Sequence, residues 1–183
     1  MGSNNDISLK ALAKINLGLD VVRRREDGYH EVRMIMQTIH LYDRLDIKRT
    51  QEPGIQIQTN LSFLPVNENN LIYKAAKLLM DEFSITDGVS VKLDKRIPVA
   101  AGMAGGSTDA AAMLIGVNRL FSLGLTKRQL MERGVQIGAD VPYCIMRGTA
   151  LAEGIGEALS PLPPMVKCPV LIAKPSISVS TKF

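Results

Sequence analysis

The amino-acid sequence predicts an α+β domain, and three observations carry that expectation. Apolar residues alternate through residues 7–22 and 34–47 on either side of an Asp27-Gly28 turn, which is the period of half-buried strands. A helical period follows Asn70, placing Leu71, Ala75, Leu78, Leu79 and Phe83 on one face. Strands and helices then mix without a regular βαβα alternation, which argues against a doubly wound sheet.

In the first strand Ile7, Leu9, Ala11, Ile15, Leu17, Leu19 and Val21 form the expected core face, so Lys14 and Asn16 are expected to point away from it. The Asp-Gly pair closes an antiparallel ribbon. Ile55 and Ile57 supply a short strand, and Asn69-Asn70 offers a cap to the following helix. Residues 89–93 read as a strand, residues 97–106 as a loop rich in small residues, and residues 107–121 as a buried helix. A second amphipathic helix is expected from a Thr126 cap to residue 138. The loop Gly138-Ala139-Asp140-Val141-Pro142 follows, then a strand over residues 143–153. Pro161, Pro163 and Pro164 mark a domain edge. Residues 1–163 are therefore expected to form one domain, and residues 164–183 a linker that leads into a strand at residues 170–174.

A chain of 183 residues suffices for one core, and 46% hydrophobic with 22% charged residues is the balance of a globular protein. No apolar run approaches the roughly 18 residues of a membrane span. The start, Met1-Gly2-Ser3-Asn4-Asn5-Asp6, lacks the pattern of a signal peptide, so a cytoplasmic location is expected. Cys144 and Cys168 show no CxxC spacing and His30 and His40 no ligand spacing, so neither a disulfide nor a permanently bound metal is expected. A net charge of +4 favours anionic ligands without separating a nucleotide, a nucleic acid and a phosphorylated metabolite. Arg23-Arg24-Arg25 runs straight into Glu26-Asp27, the pattern of a solvated turn, and Trp is absent from a chain with 4% aromatics. Nucleic-acid and membrane partners are not expected, and no motif specifies an oligomeric state.

The most informative stretch is Pro98, Val99, Ala100, Ala101, Gly102, Met103, Ala104, Gly105, Gly106, Ser107 and Thr108, leading into an alanine-rich helix. Small residues let the backbone approach a ligand, and the free amides and positive dipole end of the helix suit a phosphate. The segment is neither GxxxxGK[ST] nor GxGxxG, so neither a Walker loop nor a dinucleotide fold fits. Taken alone it also fits a loop that only packs on its helix.

This segment resembles the second motif of the GHMP kinases. Ala13-Lys14-Ile15-Asn16-Leu17, Asp27-Gly28-Tyr29-His30 and Gly138-Ala139-Asp140-Val141-Pro142 resemble the first motif, the cytidine-recognition segment and the catalytic-aspartate segment of one branch of that family. That branch acts on 4-diphosphocytidyl-2-C-methyl-D-erythritol. The resemblance implies a GHMP-kinase amino-terminal domain with a ribosomal-protein-S5-domain-2-like fold, a mixed sheet packed with helices. It also implies transfer of the γ-phosphoryl group of ATP, brought with Mg2+, to the 2-hydroxyl of that compound in the non-mevalonate route to isoprenoids.

In this assignment Asp140 takes the proton of the alcohol, and Lys14 stabilises charge on the acceptor oxygen and the transferring phosphoryl. The resemblance gives Tyr29 a stacking role on the pyrimidine and His30 a hydrogen bond to its edge, with Asn16 and Thr181 as further substrate contacts. Asn70 has two readings, an approach to the adenosine or a helix cap. Met103 and Ala104 depart from the family's glycine-richer loop, and a positive φ at residue 104 would strain alanine by roughly 1 kcal/mol. The match covers only the first part of the family's chain, which continues into a second α+β domain with a third glycine-rich motif. Little turnover is therefore expected of these 183 residues alone. Two alternatives stand beside this reading: a GHMP kinase for a sugar, homoserine or mevalonate, and a non-catalytic S5-like module. Residues 27–30 speak against the first, and Lys14 with Asp140 against the second.

Overall fold

A computed structural model describes residues 5–26, 28 and 30–174. Gly28, at φ +84°, donates its amide to the Arg25 carbonyl at 3.2 Å and closes the turn between β1 (Asp6–Arg24) and β2 (His30–Thr50). Then come β3 (Ile55–Thr59), α1 (Leu71–Glu82), β4 (Gly88–Asp94), α2 (Gly105–Leu120), α3 (Lys127–Gly134), α4 (Val141–Met146), β5 (Thr149–Glu153) and β6 (Ala158–Pro161). The strands form one mixed sheet in the order β3-β4-β2-β5-β6, with β1 along the other edge of β2. Among the described residues only β3 and β4 pair in parallel, with α1 as their crossover.

The long strand β2 serves two partners. Residues 34–37 pair with β5 and residues 44–50 with β4, while β1 runs beside both parts. Between them the edge of β2 is open to side chains and loops. The Thr38 amide donates to the Gly148 carbonyl at 3.0 Å, and Asp43 turns its carboxylate toward residues 95–97. The core lies between this sheet and the helices: Leu45, Ile47, Val89, Val91 and Leu93 meet Ile72 and Leu79 of α1 and Met113, Leu114 and Val117 of α2. Each such side chain contributes about 1.5–3 kcal/mol when fully buried. Helix α2 sits so close to β2 that a Cβ at Gly116 would lie 2.3 Å from the Ile47 Cδ1.

Several elements depart from the sequence reading. The register between β1 and β2 shifts between Leu12 and Lys14, where residues 39–41 of β2 stand opposite residue 13 alone, and the regular alternation of burial ends there. Ala13 and Lys14 are both buried, while Leu17, Leu19 and Val21, expected in the core, are 48%, 50% and 58% exposed, because residues 16–24 are exposed on both faces of the ribbon. Helix α2 starts at Gly105 instead of Ser107, and α3, opened by the expected Thr126 cap in a capping box with Gln129, ends at Gly134. Phe83 forms the exposed C-cap of α1.

The expected strand over residues 143–153 is instead helix α4 followed by β5. Pro142 fits the first helical turn, and a short apolar run reads alike for a buried helix and a strand. Strand β6 was not foreseen, and its Pro161 is tolerated because it lies on a sheet edge. No strand forms over residues 170–174, where no neighbouring strand offers ladder hydrogen bonds. Residues 165–170 and 172 instead lie along residues 37–41 of β2, around a cavity of about 710 Å³. Among the described residues, no helix is long and apolar enough to cross a membrane.

Candidate active site

Lys14 lies at the first register shift between β1 and β2. Its side chain is buried, at 6% exposure, where its ammonium donates to Asn16 Oδ1 at 3.1 Å and meets no carboxylate among the described residues. A buried cation without an acid partner is costly unless an anion arrives. Lys14 was expected to point away from the core face, and it is buried. Asn16 stays exposed and donates to the Met34 sulfur at 3.6 Å.

The loop of residues 98–107 is held against the same strand. The Lys14 amide donates to the Met103 carbonyl at 3.2 Å, and the Met103 side chain is buried with Ala13, Ile39 and Ile97 in a small core of their own. Met103 is thus the anchor of the loop. Ala100, Gly102 and Ala104 take φ of +55°, +70° and +55°, so the strain foreseen at residue 104 is present and recurs at residue 100. The first amides of α2 have no intrahelical acceptor, and the Ser107 hydroxyl makes no hydrogen bond among the described residues. The start of α1 is adjacent, with Leu71 Cδ1 3.4 Å from a Cβ placed at Gly106. Two positive helix ends thereby meet at one place. Thr108 is buried and donates to the Leu12 carbonyl at 2.8 Å, tying α2 to β1.

Ala100 offers a clean test of loop strain, because its methyl is exposed whereas that of Ala104 packs on the core. Ala100→Gly is expected to raise stability by about 1 kcal/mol, since glycine adopts a positive φ without a Cβ clash. A chemical-denaturation midpoint unchanged or lowered relative to the parent would contradict this.

Asp140 stands at the start of α4. Its carbonyl accepts the Cys144 amide at 3.0 Å, but its half-buried carboxylate neither caps the helix nor bonds any described residue. The alternative role of a turn residue bonding its own backbone is therefore not taken. Helix α4 is pinned by Tyr143, whose hydroxyl donates to the Gly148 carbonyl at 2.7 Å and lies 3.1 Å from Thr38 Oγ1. Burial pushes the Tyr143 phenol up to about 12. Burial, and after it the Asp140 carboxylate, pushes the Cys144 thiol up to about 12, while the Lys14 ammonium pulls it down. Lys14 and Asp140 act on one sulfur without forming an ion pair among the described residues. At that pKa the thiol stays protonated and is no nucleophile.

The other expected contacts are more scattered. Asn70 is the cap of α1: its Oδ1 accepts the Ile72 amide at 2.9 Å and its Nδ2 donates to the Pro65 carbonyl at 2.7 Å, so both polar ends are engaged. His30 opens β2 opposite Arg24, roughly 25 Å along the strand from Thr38, the partner of Lys14. The structure does not bring His30 beside Lys14 and Asp140. Tyr29 and Thr181 lie outside the described residues. Among the described residues, no group of three or more His, Cys, Asp or Glu side chains is placed to hold a metal ion.

Residues 70–148 match the family of GHMP kinases by their N terminal domain. Over 97% of its length the chain is 64% identical to a 4-diphosphocytidyl-2-C-methyl-D-erythritol kinase of Lachnoclostridium phytofermentans, and 64% identical to one of Lachnospira eligens. A solved 4-(cytidine 5'-diphospho)-2C-methyl-D-erythritol kinase superposes with a TM-score of 0.75 at 38% identity, over 85% of this chain and 55% of that one. The chain belongs to the GHMP kinase family. A homoserine kinase from Cytophaga hutchinsonii shares the fold at a TM-score of 0.69 and 16% identity, over 89% of this chain and 53% of that one. The GHMP kinase chain described here spans 61% of the length of the first of these relatives and 62% of the second.

One cluster of this GHMP kinase domain escaped the motifs. Lys95, just after β4, forms ion pairs with Asp43 of β2 and Asp109 of α2, and all three side chains are buried. The alternation did hold a signal. Asp43 falls in phase with buried Leu45 and Ile47, and Lys95 with buried Val91 and Leu93, so both charges occupy core positions of their strands.

Proposed function

We propose that residues 1–163 form the ATP-binding and catalytic domain of a kinase that phosphorylates the 2-hydroxyl of 4-diphosphocytidyl-2-C-methyl-D-erythritol, with residues 164–183 leading into the rest of the enzyme. The observation that carries this reading is the buried Lys14, which meets no carboxylate among the described residues and whose own amide is tied to the glycine-rich loop, beside an Asp140 carboxylate that bonds no described residue. The names of the two 64% identical relatives support the choice of acceptor.

The amides of residues 105–107 and the Ser107 hydroxyl receive the phosphates of ATP, which arrives with its Mg2+ as a co-substrate. An alcohol is a weak nucleophile at neutral pH, so the Asp140 carboxylate accepts its proton as the oxygen attacks phosphorus. The Lys14 ammonium faces the negative charge that spreads over the acceptor oxygen and the phosphoryl group. Asn16, by accepting from that ammonium, limits its rotation. The acceptor's cytidine arm extends toward the ribbon turn at residues 27–30.

The deciding experiment measures ATP consumption with 4-diphosphocytidyl-2-C-methyl-D-erythritol, galactose, mevalonate and homoserine, using this chain and a version extended to the length of its relatives. Turnover confined to the first acceptor, and much greater in the extended protein, is expected because phosphoryl transfer depends on positioning. Equal turnover with another acceptor would defeat the proposed substrate. His30→Ala in the extended protein is expected to raise KM for the cytidine acceptor with little change in ATP affinity. A joint loss of thermal stability and ATP affinity would assign His30 to packing instead.

A further inference from the structure

Beneath the glycine-rich loop two acids share one ammonium, and they are not equivalent. Asp43 is fully satisfied: its Oδ2 meets the Lys95 ammonium, and its Oδ1 accepts the amides of Arg96 at 2.5 Å and Ile97 at 2.7 Å. Asp109 offers its Oδ2 to the same ammonium at 2.9 Å, but its buried Oδ1 has no partner among the described residues. The negative charge thus has a prepared seat on Asp43 and none on Asp109.

Position makes that asymmetry matter. Gly105 and Asp109 lie one turn apart on one face of α2, and a Cβ at Gly105 would stand 2.7 Å from Lys95 Nζ, so the cluster touches the backbone that opens the helix. With both acids ionised the group would carry a net charge of about −1 against the helix end that should attract a polyphosphate. With one neutral acid it carries none.

We propose that Asp109 serves as a neutral carboxyl, a positioning residue that holds Lys95 against Gly105 while keeping the floor of the loop free of net negative charge. This rests on reading residues 98–107 as the phosphate site. Burial raises the Asp109 carboxyl well above the usual carboxylate range, with Lys95 opposing and Asp43 adding to the rise. The other titratable group facing it is the Cys144 thiol of α4, on which Lys14 and Asp140 also act. A raised carboxyl loses its proton only at higher pH. As pH climbs through that raised value the floor gains a negative charge, so ATP affinity and fold stability fall together.

Two measurements test this on the 183-residue chain. Isotope-edited infrared spectra of the nucleotide-free protein at neutral pH are expected to contain a protonated-carboxyl band that Asp109→Asn removes. Titration calorimetry with Mg2+ and ATP is expected to give Asp109→Asn an affinity within about threefold of the parent at neutral pH. On raising pH the parent alone should weaken, by about tenfold for one added charge near the phosphates. No carboxyl band in the parent, or identical affinity-against-pH curves for the two proteins, would overturn the proposal. Should neither protein bind ATP while the band is present, the phosphate-site reading fails and only the proton assignment survives.

Discussion

Lys14→Met is expected to lower kcat/KM by about 10³-fold in a protein extended to the length of its relatives, with no loss of stability. The two halves of this expectation come from one fact, the burial of an ammonium that no described carboxylate neutralises. Methionine fills similar volume and removes a desolvated charge, a change that is often neutral or stabilising in a protein interior. The transition state, by contrast, loses the cation facing its developing charge. Steady-state kinetics and a thermal melt on the same preparation check both halves. A variant that melts far below the parent, or one that turns over within tenfold of it, would remove Lys14 from the proposed role.

Asp140→Asn is expected to slow transfer by about 10²-fold while ATP affinity holds, since an amide keeps the shape but cannot accept the proton of the alcohol. Its carboxylate makes no hydrogen bond among the described residues, so the fold has little to lose. A second signature lies at Cys144. Removing the Asp140 charge lets that thiol ionise more readily, because this carboxylate helps to hold its pKa up. Near-parental turnover by the Asn variant would point to a different base, whatever the thiol does.

These two residues show where sequence reasoning succeeds and where it stops. Lys14 was legible as a candidate from its motif, but its burial was not, because the shift of β2 against β1 at this point leaves no mark on the alternating pattern of β1. The helices α1 and α3 were legible from Asn70 and Thr126, whose side chains cap them locally. Helix α4 was not, since six apolar residues around Pro142 carry no period long enough to separate helix from strand. The loop was legible from its small residues, whereas the role of Met103 depends on Ala13, Ile39 and Ile97 arriving from distant parts of the chain. Asp43 and Lys95 were within reach of the pattern, as charges in phase with buried neighbours. What the pattern lacked was their mutual contact, and with it the third member, Asp109.

The pairings of β2 with β1 and with β5 also set an order of assembly. Its pairing with β1 closes through a short turn, whereas its pairing with β5 joins Gln37 to Thr149, 112 residues apart in the chain. Contacts of such separation form late, because the intervening segment loses its freedom before the contact is gained. The ribbon with Lys14 can therefore zip early, while helix α4 and Asp140 are delivered only when residues 143–152 return to the open edge of β2. In the proposed mechanism the base is then the last piece of the site to arrive, so a folding intermediate that already presents Lys14 and the glycine-rich loop is expected to be chemically silent.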